Sequence, residues 1–104
     1  MQKMRSIHSF RDKWLEDFFM YGKSHKKIPA DVVTSLSRKL DIINAAVSAK
    51  DLRSPPGNRY ENLNPPLGEY SSIRVNIQYR LIFKWVDGKA IDVYLDDHGY
   101  KNHK

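Results

Sequence analysis

The stretch that decides the fold is Ile73-Arg74-Val75-Asn76-Ile77-Gln78-Tyr79-Arg80-Leu81-Ile82-Phe83-Lys84-Trp85, followed by Val86-Asp87-Gly88 and a second run over residues 89–95. Ile73, Val75, Ile77, Tyr79, Leu81, Phe83 and Trp85 fall at odd positions, with Ile82 the one apolar residue at an even position within it, and a period of two belongs to a half-buried strand rather than a helix. Arg74, Asn76, Gln78, Arg80 and Lys84 fall between them, so the opposite face is mostly polar and cationic. The first run therefore reads as one long strand. Ile91, Val93 and Leu95 repeat the odd phase in the next strand, and Asp87 and Gly88 mark the turn between the two.

The turn sets the register. A two-residue loop of Asp87 and Gly88 pairs odd residues with even ones and opposes unlike faces. A three-residue loop of Val86, Asp87 and Gly88, with Gly88 left-handed in a bulge, aligns odd with odd. That second loop is the expected one. It places Arg80 opposite Tyr94, Gln78 opposite Asp96 and Asn76 opposite His98, all on the polar face.

Upstream the period changes. Trp14, Leu15, Phe18 and Phe19 form the apolar stripe of a first helix, with Ser9 as its N-cap and Gly22 as its C-cap. Val33, Leu36, Leu40, Ile43 and Val47 step by three and four residues along a second helix that begins near Pro29. The short basic connector holding Lys23, His25, Lys26 and Lys27 favours an antiparallel pair of helices. Residues 4–10 read as a short opening strand. Between residues 51 and 66 two Pro pairs exclude helix, with a short strand over residues 59–63 between them. The fold class is α+β: two helices on one face of a small, mainly antiparallel twisted sheet, in a single domain over residues 1–104.

With 104 residues and no cysteine, disulfides, thiolate metal sites and cysteine nucleophiles are excluded. No apolar run approaches a membrane span or the core of a secretory signal, so the expected compartment is the cytoplasm and no membrane partner is expected. Eighteen Lys and Arg against twelve Asp and Glu give a net charge of +6, which favours a polyanionic partner, nucleic acid first. No two histidines share helical spacing with a carboxylate partner, so no metal and no other cofactor is expected.

The polar face carries the chemistry. Metal-free RNA cleavage needs a base for the 2′-OH proton, an acid for the leaving 5′-oxygen and a cation for the phosphate. The imidazole of a histidine such as His98 can serve as acid or base near neutral pH, and Arg80 can bind a phosphate through two parallel hydrogen bonds. Tyr94 and Tyr100 have the rings to stack on bases. A plainer reading stands beside this one: Arg80 facing Asp92 and Asp96 is also the composition of a structural cross-strand ion pair.

The run Leu63-Asn64-Pro65-Pro66-Leu67-Gly68, then Ser72-Ile73 through Tyr79-Arg80-Leu81-Ile82-Phe83, Asp87-Gly88-Lys89-Ala90 and the C-terminal Asp96-Asp97-His98 resembles HigB-like toxins of the RelE/ParE superfamily over nearly the whole chain. The resemblance implies the RelE fold and a type II toxin that cuts mRNA on the ribosome. It further implies a HigA-like helix-turn-helix antitoxin, through which alone operator DNA would be met. Its strand arginine matches Arg80, and its terminal triplet matches Asp96-Asp97-His98 or, less well, Asp97-His98-Gly99; the register favours the first, so Arg80, Asp96 and His98 are the expected catalytic residues, with Arg74, Asn76, Lys84, Asn64, Tyr94 and Tyr100 expected to bind RNA. The chain departs from the family where Asp97 replaces a tyrosine of the terminal triplet, Asn64 a histidine and Asn76 a second strand arginine. Two other functions fit the same fold: a ParE-type toxin that blocks DNA gyrase, and a non-enzymatic RNA- or ribosome-binding module.

Overall fold

In a computed structural model, residues 4–63 and 68–97 are described. They form helix α1 (Lys13–Tyr21), helix α2 (Val33–Ala45), and strands β1 (Glu61–Asn62), β2 (Tyr70–Arg74), β3 (Arg80–Val86) and β4 (Lys89–Asp96). The four strands make one antiparallel sheet in the order β1-β2-β3-β4.

α1 begins at Lys13, four residues after the expected cap. Ser9 is engaged elsewhere: its hydroxyl accepts the Asp92 N–H, and the Arg11 N–H bonds to the Val93 carbonyl. Ile7 and Phe10 form parallel bridges to Ala90 and Val93, so the opening segment adds isolated pairings beside β4 and not a full strand. α1 ends as the sequence implies, at Gly22 with a left-handed φ of 71°.

In α2, Leu36, Leu40 and Ile43 are buried, each contributing about 1.5–3 kcal/mol by leaving water. Val47, the expected fifth member of this stripe, is instead 78% exposed, because the helix stops at Ala45. The Asp51 carboxylate accepts the Val47 and Ser48 N–H groups there and starts a 3-10 turn at Ala49–Arg53. A second 3-10 turn follows at Pro56–Asn58. The first Pro pair thus permits helical turns where none was expected; Pro56 fills an opening position, where its missing N–H has no partner to lose. The second Pro pair lies outside the described residues.

The expected long strand is two strands. Asn76 folds the chain back: its side-chain oxygen accepts the N–H groups of Gln78 and Tyr79, while the Val75 N–H reaches the Tyr79 carbonyl. Ile77, counted as a core residue by its odd number, sits at the tip and is 81% exposed. The parity of the rest survives because Ile73 pairs with Leu81, odd with odd.

The β3-β4 register also differs from expectation. The loop is the two-residue Asp87-Gly88 turn, with φ of 50° and 77°, and it pairs Val86 with Lys89. The resulting mismatch of faces is repaired by an irregularity between Ile82 and Lys84, where Asp92 takes a left-handed φ of 58°. Beyond this bulge Ile82 pairs with Tyr94, Leu81 with Leu95 and Arg80 with Asp96. Ile73, Leu81, Phe83 and Val93 then share one core with Leu15 and Phe19 of α1 and with Leu36, Leu40 and Ile43 of α2.

Candidate active site

On the face turned from this core, Arg74 of β2, Arg80 of β3 and Asp96 of β4 stand in one row across three strands. Directly opposed residues hold their Cβ atoms about 5 Å apart. The row therefore sets two cations and a carboxylate side by side. The expected partners of Arg80 and Asp96 were Tyr94 and Gln78; the bulge makes them partners of each other, while Gln78 and Asn76 belong to the β2-β3 turn.

Arg80 is 3% exposed. Its Nε donates to Ser72 Oγ at 2.8 Å and its Nη2 to the Arg59 carbonyl at 2.5 Å, with Glu61 Oε1 at 3.9 Å. The segment that supplies these groups is itself anchored. Asn58, fully buried, donates to the Leu52 and Ser54 carbonyls and accepts from Lys39 Nζ. Arg59 then turns left-handed, φ 46°, which closes the last 3-10 turn beside Arg80. Burial, followed by the like charges of Arg38 and Arg74, lowers the pKa of Lys39, so Asn58 compensates a cation the fold disfavours.

Asp96 Oδ2 is buried and makes no hydrogen bond among the described residues. Arg74 is half-buried, and its Nε donates to the Asn76 carbonyl, which ties the turn to the row. The carboxamide oxygen of Asn76 is occupied by the turn itself. His98, Asn64 and Tyr100 lie outside the described residues.

Two further rows complete the face: Ser72, Ile82 and Tyr94, then Tyr70, Lys84 and Ile91. Lys84 Nζ lies 5.3 Å from the centroid of the Tyr70 ring, and Tyr70 meets Tyr94 edge to face at 6.2 Å. Sequence reasoning missed the residue that joins them. Arg11 lies over the Tyr94 ring and pairs with Asp92 at 2.8 Å, and the Tyr70 hydroxyl bonds the same carboxylate at 2.6 Å. The Arg11 hydrogen bond holds the Asp92 carboxyl below its ordinary range, against the opposing effect of burial. The bond to Asp92, with burial, raises the Tyr70 hydroxyl, while burial chiefly raises that of Tyr94. The alternation of residues 89–95 carries no signal of this cluster, because Asp92 falls at an even position where a polar residue is expected.

Away from this face, His25 of the basic connector stacks on Trp14 with centroids 4.9 Å apart. Among the described residues no three His, Asp or Glu side chains converge as a metal site requires, and no helix is long and apolar enough to cross a membrane.

The helices and the four-stranded antiparallel sheet are consistent with a RelE-like fold. The family model described as the RelE-like toxin of the type II toxin-antitoxin system HigB matches residues 8–98, and the chain belongs to that family. It is 55% identical over 91 residues to Toxin HigB-1 of Vibrio cholerae, covering 88% of this chain and 96% of that one. It is also 48% identical over 91 residues to an uncharacterized protein of Haemophilus influenzae, covering 88% and 90% of the two chains. This protein is the toxin of a type II toxin-antitoxin pair, and an antitoxin is its implied partner.

Proposed function

We propose that the protein is a ribosome-dependent mRNA endoribonuclease that halts translation in the cytoplasm until a HigA-like helix-turn-helix antitoxin binds it. The observation that carries this reading is the row Arg74, Arg80 and Asp96 on the face turned from the core. In the RelE-like arrangement inferred here, α1 and α2 pair antiparallel behind the sheet and leave that face to the mRNA.

The chemistry follows from the row. A base removes the 2′-OH proton, the oxygen attacks the adjacent phosphorus, and the 5′-oxygen leaves with a proton from an acid, giving a cyclic phosphate and a 5′-hydroxyl end. Asp96 and His98 divide the two proton transfers. Asp96 Oδ2 has acceptor capacity not used by any described residue, which suits it to this work. Arg80, fixed by Ser72 and Arg59, is a cation that needs no reorganisation as charge develops on the phosphate. Arg74, Lys84, Asn76, Asn64, Tyr94 and Tyr100 bind the RNA around it.

The test is expression without the antitoxin. Growth arrest should accompany new mRNA 5′ ends within translated codons, and Arg80→Ala, Asp96→Asn or His98→Ala should relieve both. Intact transcripts with accumulated gyrase-cleaved DNA would establish the ParE-type alternative. Arrest with neither lesion would leave a ribosome-binding module.

A further inference from the structure

The cleavage chemistry leaves Arg11, beside Tyr94, without a role. Arg11, next to the start of α1, lies with its guanidinium carbon 3.7 Å from the centroid of the Tyr94 ring, the separation of a flat stack. Its edge is fixed: Nη2 donates to Asp92 Oδ2 at 2.8 Å and to the Tyr70 hydroxyl at 3.2 Å, and Nε to Asp92 Oδ1 at 3.4 Å. Asp92 is fixed in turn by the bulge and by the bond from its N–H to Ser9 Oγ. Three elements thus converge to hold one guanidinium plane.

An ion pair at the surface rarely needs that much support, since it contributes little to stability. The Arg11 side chain keeps 42% of its surface exposed. One side of its plane rests on Tyr94, its edge meets Asp92 and the Tyr70 hydroxyl, and the Tyr70 ring centroid lies 5.8 Å from its guanidinium carbon, which leaves part of the side chain open to solvent. Aromatic rings and arginine planes are the groups on which proteins stack splayed-out RNA bases. Lys84, beside Tyr70, supplies a cation for the neighbouring phosphate. Tyr94 stands two residues from Asp96 on the same strand face, about 7 Å along the strand, so a base on Arg11 belongs to a nucleotide adjoining the cut.

We propose that Arg11, backed by Tyr94 and locked by Asp92 and Tyr70, is a nucleobase-stacking residue that selects the nucleotide beside the scissile phosphate, favouring purines for their larger ring surface. This assignment rests on the cleavage reading above. Arg11→Lys keeps the charge and the pairing with Asp92 but removes the plane.

The assay uses purified full-length protein and ribosome-bound mRNAs that differ by purine or pyrimidine at one position of the cut codon. The wild type should prefer a purine at one position. Arg11→Lys should lose that preference through a rise in KM of roughly tenfold, the loss of about one stacking contact. An Arg11→Lys protein that keeps the same cut sites, with KM within about twofold of wild type, overturns the proposal. A wild type that produces no fragments removes the cleavage reading and this assignment with it.

A second measurement does not depend on the variant folding. The wild type, bound to mRNA with 2-aminopurine at the selected position and a 2′-deoxy block at the cut, should quench the probe's fluorescence. Binding without quenching overturns the proposal.

Discussion

Asn58→Ala removes a side chain that makes three bonds at once, two of them buried: from Lys39 Nζ at 2.5 Å and to the Leu52 carbonyl at 3.1 Å, and a part-buried one to the Ser54 carbonyl at 3.2 Å. Loss of the acceptor for a buried cation costs roughly 1.5–3 kcal/mol. The Leu52 carbonyl lies under a fully buried residue and adds about 1 kcal/mol, whereas the exposed Ser54 recovers a water and adds little. The total is about 3 kcal/mol, which lowers Tm by roughly 12–24 °C in a domain of this size. Thermal unfolding followed by circular dichroism, with denaturant titration to check that the m value is unchanged, measures it. The same substitution should reduce cleavage below the melting temperature, because the Arg59 carbonyl that orients Arg80 is carried by the anchored turn. A shift below about 4 °C would refute the reasoning, since it would mean that Lys39 and the two carbonyls find equivalent partners without Asn58.

Gly88→Ala should destabilise by about 1–2 kcal/mol, since an added Cβ meets nothing closer than the Val47 carbonyl at 3.6 Å and the cost is the left-handed φ of 77°; urea unfolding reads it, and an unchanged midpoint would contradict the turn. Asp92 titrates below its ordinary 3.8 in the fold, so its stabilisation is present above that value and is lost as pH falls through the lowered one. Wild type should therefore lose up to about 1 kcal/mol more than Asp92→Asn on acidification below about pH 4, the pair being partly exposed; parallel stability curves would show that the Arg11 pairing contributes nothing.

The residues that packed as read are those whose signal is local. Gly22 closes α1 by its own backbone freedom, and Leu36, Leu40 and Ile43 line the core because three- and four-residue steps share one helix face. The long strand failed for a reason visible in hindsight at Asn76, whose side chain outcompetes the ladder for two N–H groups while Ile77 keeps the alternation in number but not in space. The hairpin register failed because two errors of parity cancel: a two-residue turn shifts the faces and a bulge at Asp92 shifts them back. Arg80 and Asp96 were rightly placed on one face, through the wrong loop. That Arg80 is buried, and that Arg11 reaches Tyr94, depends on segments distant in sequence, the 3-10 turn at Pro56–Asn58 and the parallel bridge between Phe10 and Val93. No periodicity carries information of that kind.

Cleavage of a ribosome-bound mRNA by the purified toxin, with a single 2′-deoxy nucleotide placed on the 5′ side of the cut, tests the central claim most directly. The all-ribose message should be cut within the codon and leave a cyclic phosphate, and the deoxy message should stay whole at that position, because the attacking oxygen is gone. Cutting of the deoxy message at the same bond, or translation arrested with both messages intact, would contradict it.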